Sequence, residues 1–166
     1  MLTAHEGMFL DYAFNNGLLV NMKDNGRPTS VFGSGLTRFS VTTIDSIGRA
    51  VTGALQAPRE GVQNRTLYVH DAVISQNQML DYARELAPDR DFTTITIDCE
   101  KLAEQGYERL RNGENTPEVL RMFFPLVTFG WGLAAFEHPE NELLGLEEWD
   151  EGRLKAFVKH YLDERQ

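Results

Sequence analysis

Apolar and polar positions along this chain switch repeatedly between a helical and an extended period. In the opening segment, Leu2 to Phe14, the apolar groups Met8, Phe9, Tyr12 and Ala13 fall at helical spacing. Ser30-Val31-Phe32 and Thr37–Val41 are short runs on either side of Gly33-Ser34-Gly35, which predicts two strands joined by a glycine turn. Ile44, Ile47, Val51 and Leu55 then share one face of a helix, with Ala50 and Ala54 beside them. Thr42 or Thr43 stands where a hydroxyl caps that helix.

The alternation continues downstream. Arg65–His70 puts Leu67 and Val69 on one side, as a half-buried strand does. Ser75-Gln76-Asn77-Gln78 is a capping-box pattern that opens a helix with Met79, Leu80, Ala83 and Leu86 on its apolar face, and Pro88 lies just past its end. Phe92–Ile97 is another β-branched strand, after which Asp98 caps a helix through Leu102, Tyr107 and Leu110. Thr116-Pro117-Glu118 combines a cap, a first-turn proline and an acid at the positive end of a helix. That helix is apolar nearly all round, through Val119, Leu120, Phe123, Phe124 and Val127, and is expected to be buried or to line a pocket. A last helix spans Asp150 to Glu164 and buries Leu154, Phe157, Val158, Tyr161 and Leu162. Strands and helices alternating in this way predict a mixed α/β fold. The connections Asn21–Ser30, Gln56–Asn64 and Arg111–Thr116 are short enough to be loops, so residues 1–166 are expected to form a single domain or a large piece of one.

Composition narrows the function classes. With 16 Lys plus Arg against 25 Asp plus Glu, the net charge is −9, which argues against a nucleic-acid partner. Cys99 is the only cysteine, so no intrachain disulfide and no thiolate zinc cluster forms. The most apolar stretch, Met122–Phe136, is broken by Pro125, Gly130 and Gly132, so no membrane span is expected. The segment after Met1 has neither a basic region nor a small-residue cleavage site, and a cytoplasmic location is the expectation.

Motifs with self-contained chemistry are absent. After Gly33-Ser34-Gly35, Arg38 stands where a dinucleotide fingerprint needs a third glycine, and a strand follows instead of a helix. None of the five tyrosines is followed four residues later by lysine, so the tyrosine-acid dyad of short-chain dehydrogenases is missing. No serine sits between glycines two residues away on each side. His138-Pro139-Glu140-Asn141-Glu142 has its carboxylates turned from common aim by proline and reads as a solvated loop, so no metal site is assigned. Two features remain. His5 and Gly7 stand close together, Gly7 allowing close backbone approach, although His5 on an exposed loop needs no function. The aromatic concentration Phe123, Phe124, Phe129, Trp131 and Phe136 is either core or the wall of a pocket for a flat apolar ligand.

Taken in order, the segments resemble the C-terminal half of the NmrA-like family, the isoflavone-reductase-like atypical short-chain dehydrogenases, in their fungal flavour. The matching pieces are Thr3–Ala13, similar to the family's "s-x-x-G-x-F-x-D-x" segment; Val41–Ala50, similar to its "D-I-G-x-A" helix; and Asn64–Val69 followed by Ser75–Tyr82, similar to its "n-k-x-l-x-v" strand and following helix. The resemblance implies a Rossmann-type fold with a C-terminal substrate-binding subdomain, acting as an NAD(P)H-dependent reductase or as a regulator that senses the dinucleotide. It also implies that the family's glycine-rich motif and catalytic lysine belong to an N-terminal half without counterpart in this chain. His5 and Gly7 are then the cofactor-side candidates, and Met8, Phe9, Tyr12, Phe123 and Phe124 the substrate-side candidates; no residue is assigned a catalytic role.

The expectation is therefore the substrate-binding part of an NAD(P)-dependent oxidoreductase, truncated or separately encoded and inactive alone. The parent protein would use NADP or NAD, with neither bound by this chain alone, and the ligand would be a small apolar or aromatic molecule. The alternative is a non-enzymatic regulatory protein that binds a protein partner, or itself, through an exposed apolar face. A self-contained small α/β domain is a third reading, and it requires the opening helix to pack internally.

Overall fold

The computed structural model describes residues 3–22 and 27–164. The start of the opening segment, Met1 and Leu2, and the middle of the Asn21–Ser30 connection lie outside the described residues. The elements are β1 (Thr3–Glu6), β2 (Met8–Phe9), α1 (Leu10–Asn15), β3 (Thr29–Phe32), β4 (Phe39–Thr42), α2 (Ile44–Gln56), α3 (Arg59–Val62), β5 (Thr66–Val69), β6 (Ala72–Ile74), α4 (Gln76–Leu86), β7 (Thr94–Ile97), α5 (Cys99–Arg111), α6 (Pro117–Arg121) and α7 (Glu151–Asp163). A π-helical turn spans Leu126–Gly130 and a 3-10 turn spans Glu142–Leu144. The fold is mixed α/β with small parallel pairings. Among the described residues no helix is long and apolar enough to cross a membrane.

The opening segment corrects the expected helix. Thr3–Glu6 is extended and pairs in parallel with β5, and after Gly7 the chain shifts neighbours so that Met8–Phe9 pairs in parallel with β4. Ladder pairing outweighs the helical periodicity there, and the helix begins only at Leu10, burying Leu10, Ala13 and Phe14. The Gly33–Gly35 turn is present, both glycines having positive φ, but the strands it joins do not pair with each other. β3 pairs in parallel with β7, whereas β4 pairs in parallel with β2 and antiparallel with β6. The turn passes the chain between two sheets and closes no hairpin.

α2 is the second correction. Thr43 caps it, its hydroxyl accepting from Ser46 N–H. The stripe of Ile44, Val51 and Leu55, however, is 63%, 51% and 80% exposed, and the buried face is Ser46, Ala50 and Ala54. Close packing explains the choice. The helix lies over Leu67 and Val69 of β5 and under Leu144 and Leu146. A Cβ on Gly53 would collide with the Leu144 carbonyl, so only small residues fit on that side.

The start of α2 is held from below by Asp71, which is 1% exposed. Its carboxylate accepts from Thr43 N–H (2.6 Å), the Thr43 hydroxyl (2.8 Å) and the Ser46 hydroxyl (2.6 Å). Three charge-assisted bonds compensate its burial. The free side of β5 is covered by the segment before α7. Glu140 N–H donates to the Tyr68 carbonyl, the Glu140 carboxylate accepts from Tyr68 N–H, and the Asn141 side chain bonds both backbone groups of His70. Glu140, in the sequence cluster with His138, is thus an edge-strand cover that also pairs with Arg65 at 2.8 Å. β1, by contrast, has no second strand on its other side among the described residues.

α4 opens as expected at Ser75, whose hydroxyl accepts from Gln78 N–H, but the Gln78 amide donates to the Tyr82 hydroxyl and does not close the box. α6 stops at Arg121, short of the long apolar helix expected. Pro125 removes an amide donor there, and the chain continues as the π-helical turn. The main core gathers Phe14, Phe39, Met22, Ile74 and Met79 with Leu154, Val158 and Leu162 of α7.

Candidate functional site

An open groove of about 810 Å³ lies between the β2–α1 junction, β3, α5 and the end of α6. One wall is Gly7, Met8, Phe9 and Tyr12, and the opposite wall is Arg121, Met122, Phe124 and Pro125. Leu18, Ser30, Phe32 and Leu102 form the floor, and Asn16, Gly17 and Glu118 the rim.

Each wall is placed by a local reason. At Gly7 a Cβ would collide with the Ser40 carbonyl and lie 2.7 Å from Val41 N, so glycine alone lets the chain hug β4 while it changes neighbours. Gly7 N–H donates to the Thr42 hydroxyl at 3.1 Å. This places Met8 and Phe9 at the groove. The floor is clamped by Gln76, 1% exposed, whose side-chain oxygen accepts from Phe32 N–H (2.9 Å) while its amide donates to the carbonyls of Ser30 (3.0 Å) and Leu18 (3.2 Å). Phe32 is in turn stacked on Phe129 of the π-helical turn, at 5.0 Å and nearly parallel, and Phe124 meets Phe129 edge-on at 6.2 Å. The turn therefore links the floor to the far wall.

The groove is mainly apolar with one charged corner. The Glu118 carboxyl is held below the usual carboxylate range, first by its own backbone N–H, then by the Thr116 hydroxyl and nearby Arg121. The Arg121 guanidinium is 4.0 Å from Glu118, and both are exposed, which makes the pair worth little to stability. Among the described residues the groove lining contains no lysine, histidine or cysteine. Tyr12 is the phenol among its described lining residues and stands 60% exposed.

Of the candidates from sequence, Gly7, Met8, Phe9, Tyr12 and Phe124 meet at this groove. His5 and Phe123 do not line it. His5 is on β1, opposite Tyr68, with ring centroids 5.5 Å apart. Phe123 packs edge-on against Tyr107 at 4.7 Å, where Gly106 leaves room for its ring. Sequence reasoning missed Gln76, Asn16, Ser30 and Arg121. Gln76 was visible only as a helix-start residue, and its contacts reach 44 to 58 positions back along the chain.

At several helix starts, backbone amides of the kind that would meet a dinucleotide pyrophosphate are already bonded within the chain. At α4, Asn77 N–H donates to the Gly35 carbonyl and Gln78 N–H to Ser75. At α2, Ile44 N–H donates to Asp11 at 2.8 Å and Thr43 N–H to Asp71. At α5 and α7, Asp98 and Asp150 serve as caps.

No family model matches this chain. It is 28% identical over 142 residues to a protein named oxidoreductase aprR, from Aspergillus flavus, covering 84% of this chain and 46% of that protein. The likeness is to oxidoreductases. A second, oxidoreductase poxI from Penicillium oxalicum, is 30% identical over 83 residues, 50% of this chain and 26% of that protein. The chain thus spans less than half the length of the curated relatives it matches. Among solved structures, UDP-glucuronic acid 4-epimerase from Bacillus cereus in complex with NAD is similar at a TM-score of 0.43 and 18% identity, over 58% of this chain and 31% of that one.

Proposed function

We propose that this chain is the substrate-binding part of an NmrA-like, NAD(P)-dependent oxidoreductase with a Rossmann-type nucleotide half supplied by other sequence. The observation that carries the reading is the apolar groove between Gly7–Tyr12 and Arg121–Pro125, whose described lining residues include no proton donor with a paired base. Its support comes from the likeness to two fungal oxidoreductases over less than half of their length, and from helix-start amides already bonded within the chain, to Asp71 at α2 and to the Ser75 cap at α4. Among the described residues no strand pairs with the other side of β1, where a further parallel strand would continue the sheet. On this reading His5 and Gly7 face the incoming dinucleotide, Met8, Phe9, Tyr12 and Phe124 hold the substrate, and the chain alone transfers no hydride.

The test is to incubate the purified chain with NADH or NADPH and small aromatic carbonyl compounds, and to titrate it separately with a flat apolar dye. Dye binding that competes with the aromatic compounds, without dinucleotide turnover, is expected. Steady NAD(P)H oxidation would refute the division of labour, and absence of any groove binding would refute the substrate role. A second reading, a non-enzymatic interaction protein, is favoured by the exposed stripe Leu120, Phe124, Val127 and Trp131 along α6 and the π-helical turn. A partner-dependent loss of dye binding without any small-molecule competitor would favour it.

A further inference from the structure

The charged corner of the groove bears on the chemistry of the molecule it takes, because its ionised groups are not equally engaged. Arg109, which reaches the Met122 sulfur at 3.8 Å, is closed by the Glu114 carboxylate at 2.8 Å. The Glu118 carboxylate accepts from its own backbone N–H and from the Thr116 hydroxyl. Arg121 differs. Glu118 lies 4.0 Å from it, longer than a hydrogen bond, and among the described residues no hydrogen bond holds its guanidinium. A planar fork of N–H donors is thus left facing water at the edge of an apolar groove. Arg121 and Phe124 stand three residues apart on one wall, and Phe9 and Tyr12 on the other; all three rings keep surface open to solvent.

We propose, on the substrate role given to this groove above, that it takes aromatic acids, the ring lying against Phe124, Phe9 and Tyr12 and the carboxylate pairing with Arg121. A carboxylate matches the guanidinium fork with two equivalent acceptors and an opposite charge. An amide of the same shape offers one acceptor and no charge. Aromatic side chains on both walls suit a ring, whose faces and edges they can meet by stacking or edge-on contact. Binding such an acid breaks no hydrogen bond of Arg121, whereas Arg109 would first have to leave Glu114. The chain's net charge of −9 disfavours anions at its surface in general, so a preference for the acid has to come from Arg121 and must be lost with it. The Arg121 side chain is 75% exposed and Glu118 stands beside it, which limits the preference to about fivefold, the upper range of a solvent-exposed ion pair.

Calorimetric titration of the purified chain with a naphthalene carboxylate and with its carboxamide, at neutral pH and one fixed salt concentration, reads the ratio of the two affinities. The acid is expected to bind about fivefold more tightly. Arg121→Gln should bring that ratio to one or below with the melting temperature of the parent, since the side chain is exposed and its pair with Glu118 is long. Phe124→Ala should weaken both compounds and leave the ratio in place. Equal binding of acid and amide, or a preference that survives Arg121→Gln, would overturn the acid assignment while the substrate role of the groove stands. Failure of both compounds to bind would overturn the two together.

Discussion

Gly7 and Gly48 make opposite predictions for the same substitution, and the sign comes from what surrounds an added Cβ. At Gly7 that atom would overlap the Ser40 carbonyl and approach Val41 N, both backbone of a central strand that a rotamer change cannot move. Relief requires Met8–Phe9 to lift from β4, giving up its short ladder and the Gly7 N–H bond to Thr42. Overpacking costs about 1–3 kcal/mol where side chains can yield, and a backbone neighbour puts Gly7→Ala at the upper end, about 3 kcal/mol. At Gly48 there is open space and the residue is inside a helix, so Gly48→Ala should stabilise by about 0.5–1 kcal/mol. Urea unfolding followed by circular dichroism reads both as midpoint shifts at constant slope. Because Gly7 also forms the groove wall, Gly7→Ala should weaken dye binding and Gly48→Ala should leave it alone. Equal shifts of one sign, or a Gly7→Ala variant within about 0.5 kcal/mol of the parent, an ordinary surface effect, would refute the steric argument.

Phe124→Ala should weaken a flat apolar ligand roughly tenfold, about 1.4 kcal/mol, whereas Phe123→Ala should leave binding unchanged and lower stability through its lost contact with Tyr107, as parallel titrations and melts would show. Gln76→Leu leaves Phe32 N–H buried without its acceptor, a loss of about 1–3 kcal/mol in urea unfolding, and loosens the groove floor enough to weaken dye binding as well. Burial, and then the neighbouring Asp98 and Glu100 charges, push the Cys99 thiol above its ordinary value. The neutral thiol is therefore favoured by folding: its contribution to stability is complete below the ordinary thiol value and is lost as pH rises through the higher folded value. Stability should fall on the alkaline side more steeply in the native chain than in Cys99→Ala, and a disulfide reagent at mildly alkaline pH should label Cys99 far more slowly in the native than in the unfolded chain.

The local signals in the chain were sufficient for most of the elements. Hydroxyl and carboxylate caps at Thr43, Ser75, Asp98, Thr116 and Asp150 mark helix starts because they act on amides a few residues away. The alternation of Leu67 and Val69 marked β5, and the aromatic and apolar content near Met8–Tyr12 and Phe124 marked residues that line the groove. Distant partners decided the rest. Thr3–Phe9 became strand only because β5 and β4 were there to bond it, and Ser30–Phe32 found β7 in place of the strand after its turn. α2 turned its small residues inward because the Leu144 carbonyl approaches too closely for larger ones, which no periodicity within the helix could reveal. Gln76 became the groove's clamp through carbonyl and amide groups of a strand and a loop far back in the chain. Periodicity and capping act within a turn or two of backbone and are written in the residues themselves; strand partners, the inward face of a helix and the walls of a groove depend on which distant backbone arrives first at van der Waals distance, and only the assembled chain holds that.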